Sequence, residues 1–162
     1  MNIVLTKMLS LTVLAICLTV MLSGCGAKVA ERQPSTIADT LLKELNLPKM
    51  ILIENDKLDT HFSFPEGVIF DSAVYLSDVD DTADEIGVFK LSDTSKENVV
   101  VGEINSQLGQ LAKNFKDRFP VEYNKVSNAI IRRVDDCIIV VVCDQNQKAE
   151  IILKDMGAKL MN

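Results

Sequence analysis

The sequence predicts an α+β domain in which helices pack on one face of a mostly antiparallel sheet. Apolar residues recur at helical spacing in three segments of the chain, and this spacing is typical of amphipathic helices. Between these segments lie pairs of short apolar runs that are separated by acidic residues, as in hairpins of neighbouring strands. We therefore expect one domain that combines paired strands with helices.

The first predicted element is a helix. Ser35 or Thr36 can cap its start, and Asn46-Leu47-Pro48 ends it. Its buried face would consist of Ile37, Leu41 and Leu45. The pattern from 49 to 67 is weak apart from one short apolar run, Met50 to Ile53, so we expect an irregular connection there.

A hairpin and a long helix are predicted next. The strands are Ser72 to Leu76 and Ile86 to Leu91, joined by the acidic stretch Ser77 to Glu85. The helix runs from about Ser95 to Phe119, and Pro120 stops it. Its apolar face alternates spacings of three and four residues: Val101, Ile104, Leu108, Leu111 and Phe115.

A second hairpin and a last helix complete the domain. The run Ala129 to Val134, a tight Asp135-Asp136 turn and the run Cys137 to Cys143 predict two strands, and the second is apolar on both faces, as a central strand would be. The helix should begin near Asp144 or Asn146, with Ala149, Ile152 and Met156 on its buried side. After the N-terminal helix the order is thus strand, strand, helix, twice, which suggests a β-β-α repeat.

The N-terminal segment has the features of a bacterial lipoprotein signal. Lys7 is the only charge before position 25, and the uncharged stretch Met8 to Leu22 is shorter than the roughly 20 residues that a helix needs to span a bilayer. Leu22-Ser23-Gly24-Cys25 resembles a lipobox, in which cleavage falls before a cysteine that takes the lipid. We expect a signal peptide over residues 1–24, a lipidated tether over 25–34 and a single domain over 35–162. The alternatives are an uncleaved anchor or an ordinary secreted protein.

Acylation of Cys25 would fix where the protein works. Two or more acyl chains, such as palmitate, anchor a protein firmly, so we expect attachment to the extracytoplasmic face of the cell membrane, with membrane lipid as one partner.

Lys7 is the only charge lost with residues 1–24, so the remaining chain has 16 basic and 23 acidic residues. This acidic balance argues against a nucleic-acid partner.

Two cysteines remain in the predicted domain, because Cys17 leaves with the signal and Cys25 is acylated. Cys137 and Cys143 are six positions apart on one predicted strand, hence about 20 Å apart, whereas a disulfide needs Cα atoms within about 7 Å. We expect two unpaired thiols that are buried in the core. A host that lives without oxygen is the other explanation.

Two motifs carry a resemblance to a known family. Ala83-Asp84-Glu85-Ile86-Gly87-Val88-Phe89-Lys90 is the first, and Phe119-Pro120-Val121-Glu122-Tyr123-Asn124-Lys125-Val126 with Asn128-Ala129 is the second. Together with the helix between them, they resemble the lipoproteins grouped as domain of unknown function 4358, over about residues 37 to 154. The resemblance implies a lipobox and a single-membrane, often anaerobic host, but no activity or ligand. The chain departs from it at Asp78 to Thr82, where relatives tend to have a segment that contains glycine, and at Asp135-Asp136-Cys137, where glycine or an aromatic residue is usual.

The acidic turn from Asp78 to Glu85 is the one conspicuous cluster of polar residues. Asp78, Asp80 and Asp84 are weak candidates for a cation site, since calcium takes 6 to 8 oxygen ligands. The turn lacks the glycine and the glutamate of an EF-hand loop, and a solvated hairpin turn explains it as well.

Catalysis has less support in the sequence. His61 is the only histidine, no nucleophile elbow or glycine-rich phosphate loop is present, and we expect no cofactor. The leading hypothesis is a non-enzymatic, membrane-tethered binding or interaction module, with an envelope protein as a candidate partner. The alternatives are a cation-binding surface domain and an enzyme with an unfamiliar site.

Overall fold

The computed structural model describes residues 32–160. The predicted signal peptide and Cys25 lie outside these residues. The helices are α1 (Pro34–Glu44), α2 (Glu97–Phe115), α3 (Pro120–Ser127) and α4 (Asn146–Asp155), with short 3-10 helices at Asn55–Thr60 and Thr94–Lys96. The strands are β1 (Met50–Ile53), β2 (Ile69–Ser77), β3 (Glu85–Leu91), β4 (Ile130–Val134), β5 (Cys137–Val142) and β6 (Lys159–Leu160).

All six strands form one antiparallel sheet in the order β1-β2-β3-β5-β4-β6. The α+β class, the antiparallel sheet and both predicted hairpins are confirmed. Strands β3 and β5 lie at the centre, and every residue of both is buried. No helix in the described part of the chain is long and apolar enough to cross a bilayer.

The helices cover both faces of this sheet, where the sequence suggested one. Helices α1 and α4 pack on the face that carries Ile86, Val88 and Ile139. Helices α2 and α3 pack on the opposite face, which carries Phe89 and Val140. Because successive side chains of a strand point to opposite faces, central strands that are apolar at every position need cover on both sides.

The strand-strand-helix order occurs twice, but the two halves are not equivalent in space. Neighbouring antiparallel strands such as β3 and β5 are related by a twofold axis perpendicular to the sheet, which would leave both following helices on one face. Helix α2 follows the first hairpin on one face, whereas α4 follows the second on the other. The elements therefore repeat in their order along the chain, but the two halves do not have the same arrangement in space.

Three local differences from the sequence-based elements have simple causes. Helix α1 begins at Pro34 after Gln33, because proline fits the first helical turn, where its missing N–H is not needed. Pro120 follows the end of α2 and also begins α3 for the same reason. The expected irregular connection from 49 to 67 contains β1, a short edge strand paired with the end of β2, and the first 3-10 helix.

Candidate functional site

The three candidate cation ligands do not come together. Asp78 is paired with Lys49 at the surface, and Asp80 is exposed. Asp84 is only 3% exposed and is paired with Lys125. In residues 32–160 no group of three or more histidine, cysteine or acidic side chains is arranged to hold a metal ion. The acidic turn is thus divided between a solvated tip and a buried ion pair.

The buried ion pair belongs to a cluster that joins the two motifs. The Lys125 Nζ atom lies 2.8 Å from Asp84 Oδ2 and 3.0 Å from Glu122 Oε2. Glu122 Oε2 also accepts a hydrogen bond of 2.8 Å from the backbone N–H of Ala83. Burial lowers the pKa of Lys125, but hydrogen bonds and charge from Asp84 and Glu122 outweigh burial, so this pKa is raised. The cluster therefore fastens α3 to the start of β3.

Glu85, the first residue of β3, is buried beside this cluster on the face that α2 covers. Its side chain is 1% exposed, and its Oε2 atom accepts a hydrogen bond of 3.1 Å from Gln107 Nε2 of α2. Burial raises the pKa of Glu85 to about 7, although the hydrogen bond from Gln107 acts in the opposite direction. The carboxyl group thus differs from that of an ordinary surface glutamate in its surroundings and in its pKa.

Gly87 and Phe89 of the first motif serve packing. A Cβ atom on Gly87 would lie 2.7 Å from Val140 Cγ1 and 2.8 Å from Phe89 Cε2, so any larger residue would force these side chains to move. The Phe89 ring makes edge contacts with Phe62 and Phe64, at centroid distances of 4.9 Å for both. These contacts hold the segment after the first 3-10 helix against the centre of the sheet.

Both cysteines of the domain are unpaired and buried, as the sequence predicted. Burial raises the pKa of Cys137 to about 12, and the neighbouring Asp136 carboxylate acts in the same direction. Burial also raises the pKa of Cys143. Neither thiol has the lowered pKa of a reactive nucleophile.

A groove of about 780 Å³ lies between the first 3-10 helix, the segment that follows it and the start of β2. Its charged lining residues are the carboxylates Asp59, Glu66 and Asp71. Phe64 and Phe70 supply aromatic rings, and Phe70 is 72% exposed. His61 is not among the described residues that line this groove.

The sequence did not point to this groove, because its residues come from a stretch with a weak pattern. The unusual exposure of Phe70 follows from a break in the β2–β3 register between Ile69 and Asp71. One face of the Phe70 ring already has a cation nearby, since Lys90 Nζ lies 5.7 Å from the ring centroid. The only available signal was the aromatic residue itself, next to the acidic Asp71.

Comparison with curated proteins finds no match, and comparison with solved structures finds none either. A family model described as domain of unknown function (DUF4358) matches residues 43–143. The matched stretch contains both motifs and the ion cluster that joins them. It is shorter at both ends than the resemblance first indicated from the sequence. The chain belongs to the DUF4358 family.

Proposed function

We propose that the protein is a lipid-anchored, extracytoplasmic, non-enzymatic binding module that holds a basic segment of an envelope protein in the groove beside Phe70. The observation that carries the proposal is the exposure of this phenylalanine, 72%, inside an acidic groove. A large exposed aromatic side chain next to a concave surface is typical of recognition sites.

The proposed location comes from the lipobox and the length of the tether. Arg32 donates a hydrogen bond of 2.8 Å to the backbone carbonyl of Met156, and its guanidinium lies 3.3 Å from Asp135 Oδ2. Seven positions separate Cys25 from Arg32, and a chain of that length spans at most about 25 Å. An acylated Cys25 would therefore hold the domain close to the bilayer.

The proposed ligand class comes from the lining of the groove. The charged residues that line it are all acidic, and Lys90, the cation beside Phe70, is itself buried, so a cationic ligand is attracted and an anionic one repelled. The exposed aromatic ring can contact both an aliphatic stem and an ammonium or guanidinium group. Lysine and arginine side chains combine the two, which favours a basic peptide segment as the occupant.

The location is tested on the native protein in its membrane. Mass spectrometry should find an acylated N-terminal Cys25, and a Cys25→Ala variant should leave the membrane fraction. Recovery of an unmodified chain that is cut elsewhere, or of membrane-bound Cys25→Ala, would contradict the lipid anchor. This result does not depend on the ligand.

The ligand class is tested by fluorescence anisotropy on the full chain in mild detergent. The probe is a short labelled peptide of alternating lysine and leucine. A labelled peptide of alternating glutamate and leucine serves as the control of opposite charge. The basic peptide should bind more weakly as salt is added. Phe70→Ala should weaken binding by about threefold or more. Val121→Ala, which removes another exposed apolar side chain outside the groove, should leave binding unchanged. Equal binding of both peptides, or no effect of Phe70→Ala, would refute the proposal.

A further inference from the structure

Glu85 and Gln107 leave two buried oxygen atoms without hydrogen-bond partners. Among the described residues, Glu85 Oε1 and Gln107 Oε1 are the buried side-chain polar atoms in this state. The same two side chains already share one hydrogen bond, from Gln107 Nε2 to Glu85 Oε2. Buried acceptors are nearly always satisfied, so two orphaned oxygens on one bonded pair need a common explanation.

A single proton supplies that explanation. An ionised carboxylate can only accept hydrogen bonds, whereas a carboxylic acid also donates one. A proton on Glu85 Oε1 would turn this atom from an orphaned acceptor into a donor, and Gln107 Oε1 is an acceptor without a donor. A carboxylic acid and a primary amide are complementary in this way, each giving one hydrogen bond and taking one.

We propose that Glu85 carries a proton in weakly acidic solution and is then joined to Gln107 by two hydrogen bonds, forming a pH-sensitive clasp between β3 and α2. Burial, which raises the pKa of this carboxyl to about 7, is consistent with the clasp. Above that pH the proton leaves, one of the two hydrogen bonds is lost, and a negative charge remains in the apolar interior. The contact between α2 and the sheet then weakens.

Within the described part of the chain, the Glu85 carboxyl has no ion-pair partner of its own. Strands β2 and β5 place Leu76 and Val142 opposite Glu85 in the sheet. Asp84 of the preceding turn and Glu122 of α3 are both bonded to Lys125 of α3, and the other charged residues of the turn, Asp78, Asp80 and Asp81, are exposed.

The other titratable groups on α2, on α3 and after β5 are bonded elsewhere, exposed or, like Tyr123 of α3, partly buried against the core. On α2, Glu103 accepts a hydrogen bond from the backbone N–H of Ser63, and Glu97 is paired with Arg133. Lys113 near the end of α2 is exposed. At the end of β5, Cys143 is a buried thiol and Asp144 is exposed.

The direction of the pH effect follows from linkage. The unfolded chain releases the Glu85 proton near the ordinary glutamate value of 4.5, while the folded chain keeps it up to about pH 7. The folded state therefore binds more protons between these values, and stability falls as the pH rises through them. The unfolding equilibrium constant should rise by about 70-fold from about pH 5 to about pH 8 through this group alone. If the proposed extracytoplasmic location holds, the clasp would respond to the pH of the surroundings and not to that of the buffered cell interior.

The test compares urea unfolding of the full chain in mild detergent across this pH range. Glu85→Gln replaces the acid by an amide that can keep both hydrogen bonds and has no proton to lose in this range, so its stability should lack this pH-dependent component. Glu54→Gln changes an exposed glutamate and should keep the wild-type pH dependence. The same pH dependence in Glu85→Gln as in wild type would overturn the proposal.

A measurement on the wild type keeps the proposal testable if Glu85→Gln does not fold. Infrared spectra of protein labelled with carbon-13 at glutamate carboxyls should show one protonated carboxyl that persists well above pH 4.5 and disappears near pH 7. Absence of that band at about pH 6 would overturn the proposal. Both measurements are independent of peptide binding, so failure of the groove hypothesis leaves them unaffected.

Discussion

Lys125→Met is the substitution that tests most directly how the two motifs are held together. Lys125 is the one cation in contact with both Asp84 and Glu122 within the described residues. Methionine keeps the length and apolar stem of the side chain but removes its charge. The substitution would leave Asp84, which is 3% exposed, as a buried carboxylate beside a second carboxylate.

The expected loss of stability is large because both partners are shielded from water. The side chains of Lys125 and Asp84 are 13% and 3% exposed. Breaking such a buried pair by removing one partner costs about 3–5 kcal/mol, mostly because the remaining charge stays unpaired. For a domain of this size, each kcal/mol shifts Tm by about 4 °C, so a decrease of roughly 12–20 °C is expected.

Thermal unfolding followed by circular dichroism on the full chain in mild detergent measures this decrease. Lys49→Met is the matched control, because it breaks a lysine–aspartate pair whose side chains are 75% and 38% exposed. Exposed pairs contribute about 0–1 kcal/mol, so the control should shift Tm by only a few degrees. Adding Asp84→Asn to Lys125→Met should restore part of the loss, since the unpaired charge is removed. Equal effects of Lys125→Met and Lys49→Met would refute the reasoning.

Three further predictions follow from the core and its charges. Gly87→Ala should lower stability by about 1–3 kcal/mol in urea unfolding, because the new methyl group would lie 2.7 Å from Val140 Cγ1. Gly102→Ala, on α2 with open space around it, should instead raise stability by about 0.5–1 kcal/mol, and a loss in both variants would contradict the packing argument. Iodoacetamide near neutral pH should leave Cys137 and Cys143 unmodified in the folded protein and should label both in urea. Mass spectrometry counts the labels. Rapid labelling of the folded protein would show that the thiols are accessible and contradict this prediction. Because the pKa of Lys125 is raised, its contribution to stability should be complete below pH 10.5 and be lost as the pH rises beyond that value, so the stability difference between wild type and Lys125→Met should shrink in strong alkali.

Strong local patterns in the sequence predicted most of the fold. The run from Cys137 is apolar on both faces and does form a central strand. The predicted stripe of α2 is largely buried, although at its start Val100 is buried more deeply than Val101, which packs against the core only in part. The face of the sheet on which each helix packs was not predicted, since hydrophobic periodicity shows that a helix has a buried side but not which surface covers it.

The candidate site depended on contacts that no local pattern records. Asp84 was grouped with Asp78 and Asp80 because they are close along the chain, but it pairs with Lys125, which is 41 positions away. Glu85 and Gln107 meet only because β3 and α2 pack on each other, so neither residue stands out alone. The groove beside Phe70 likewise arises from a register break that the sequence does not reveal.

The central position of the β3–β5 pair has a consequence for the order of folding. Each hairpin joins residues close along the chain, but the paired residues of β3 and β5 are about 50 positions apart, from Lys90 with Cys137 to Glu85 with Val142. Such non-local pairing requires closure of a long loop and slows folding. Until it forms, both apolar strands have an unpaired edge that favours aggregation. In a chain that is made and exported from its N-terminus, β3 therefore has no β5 to pair with until nearly the whole domain has emerged.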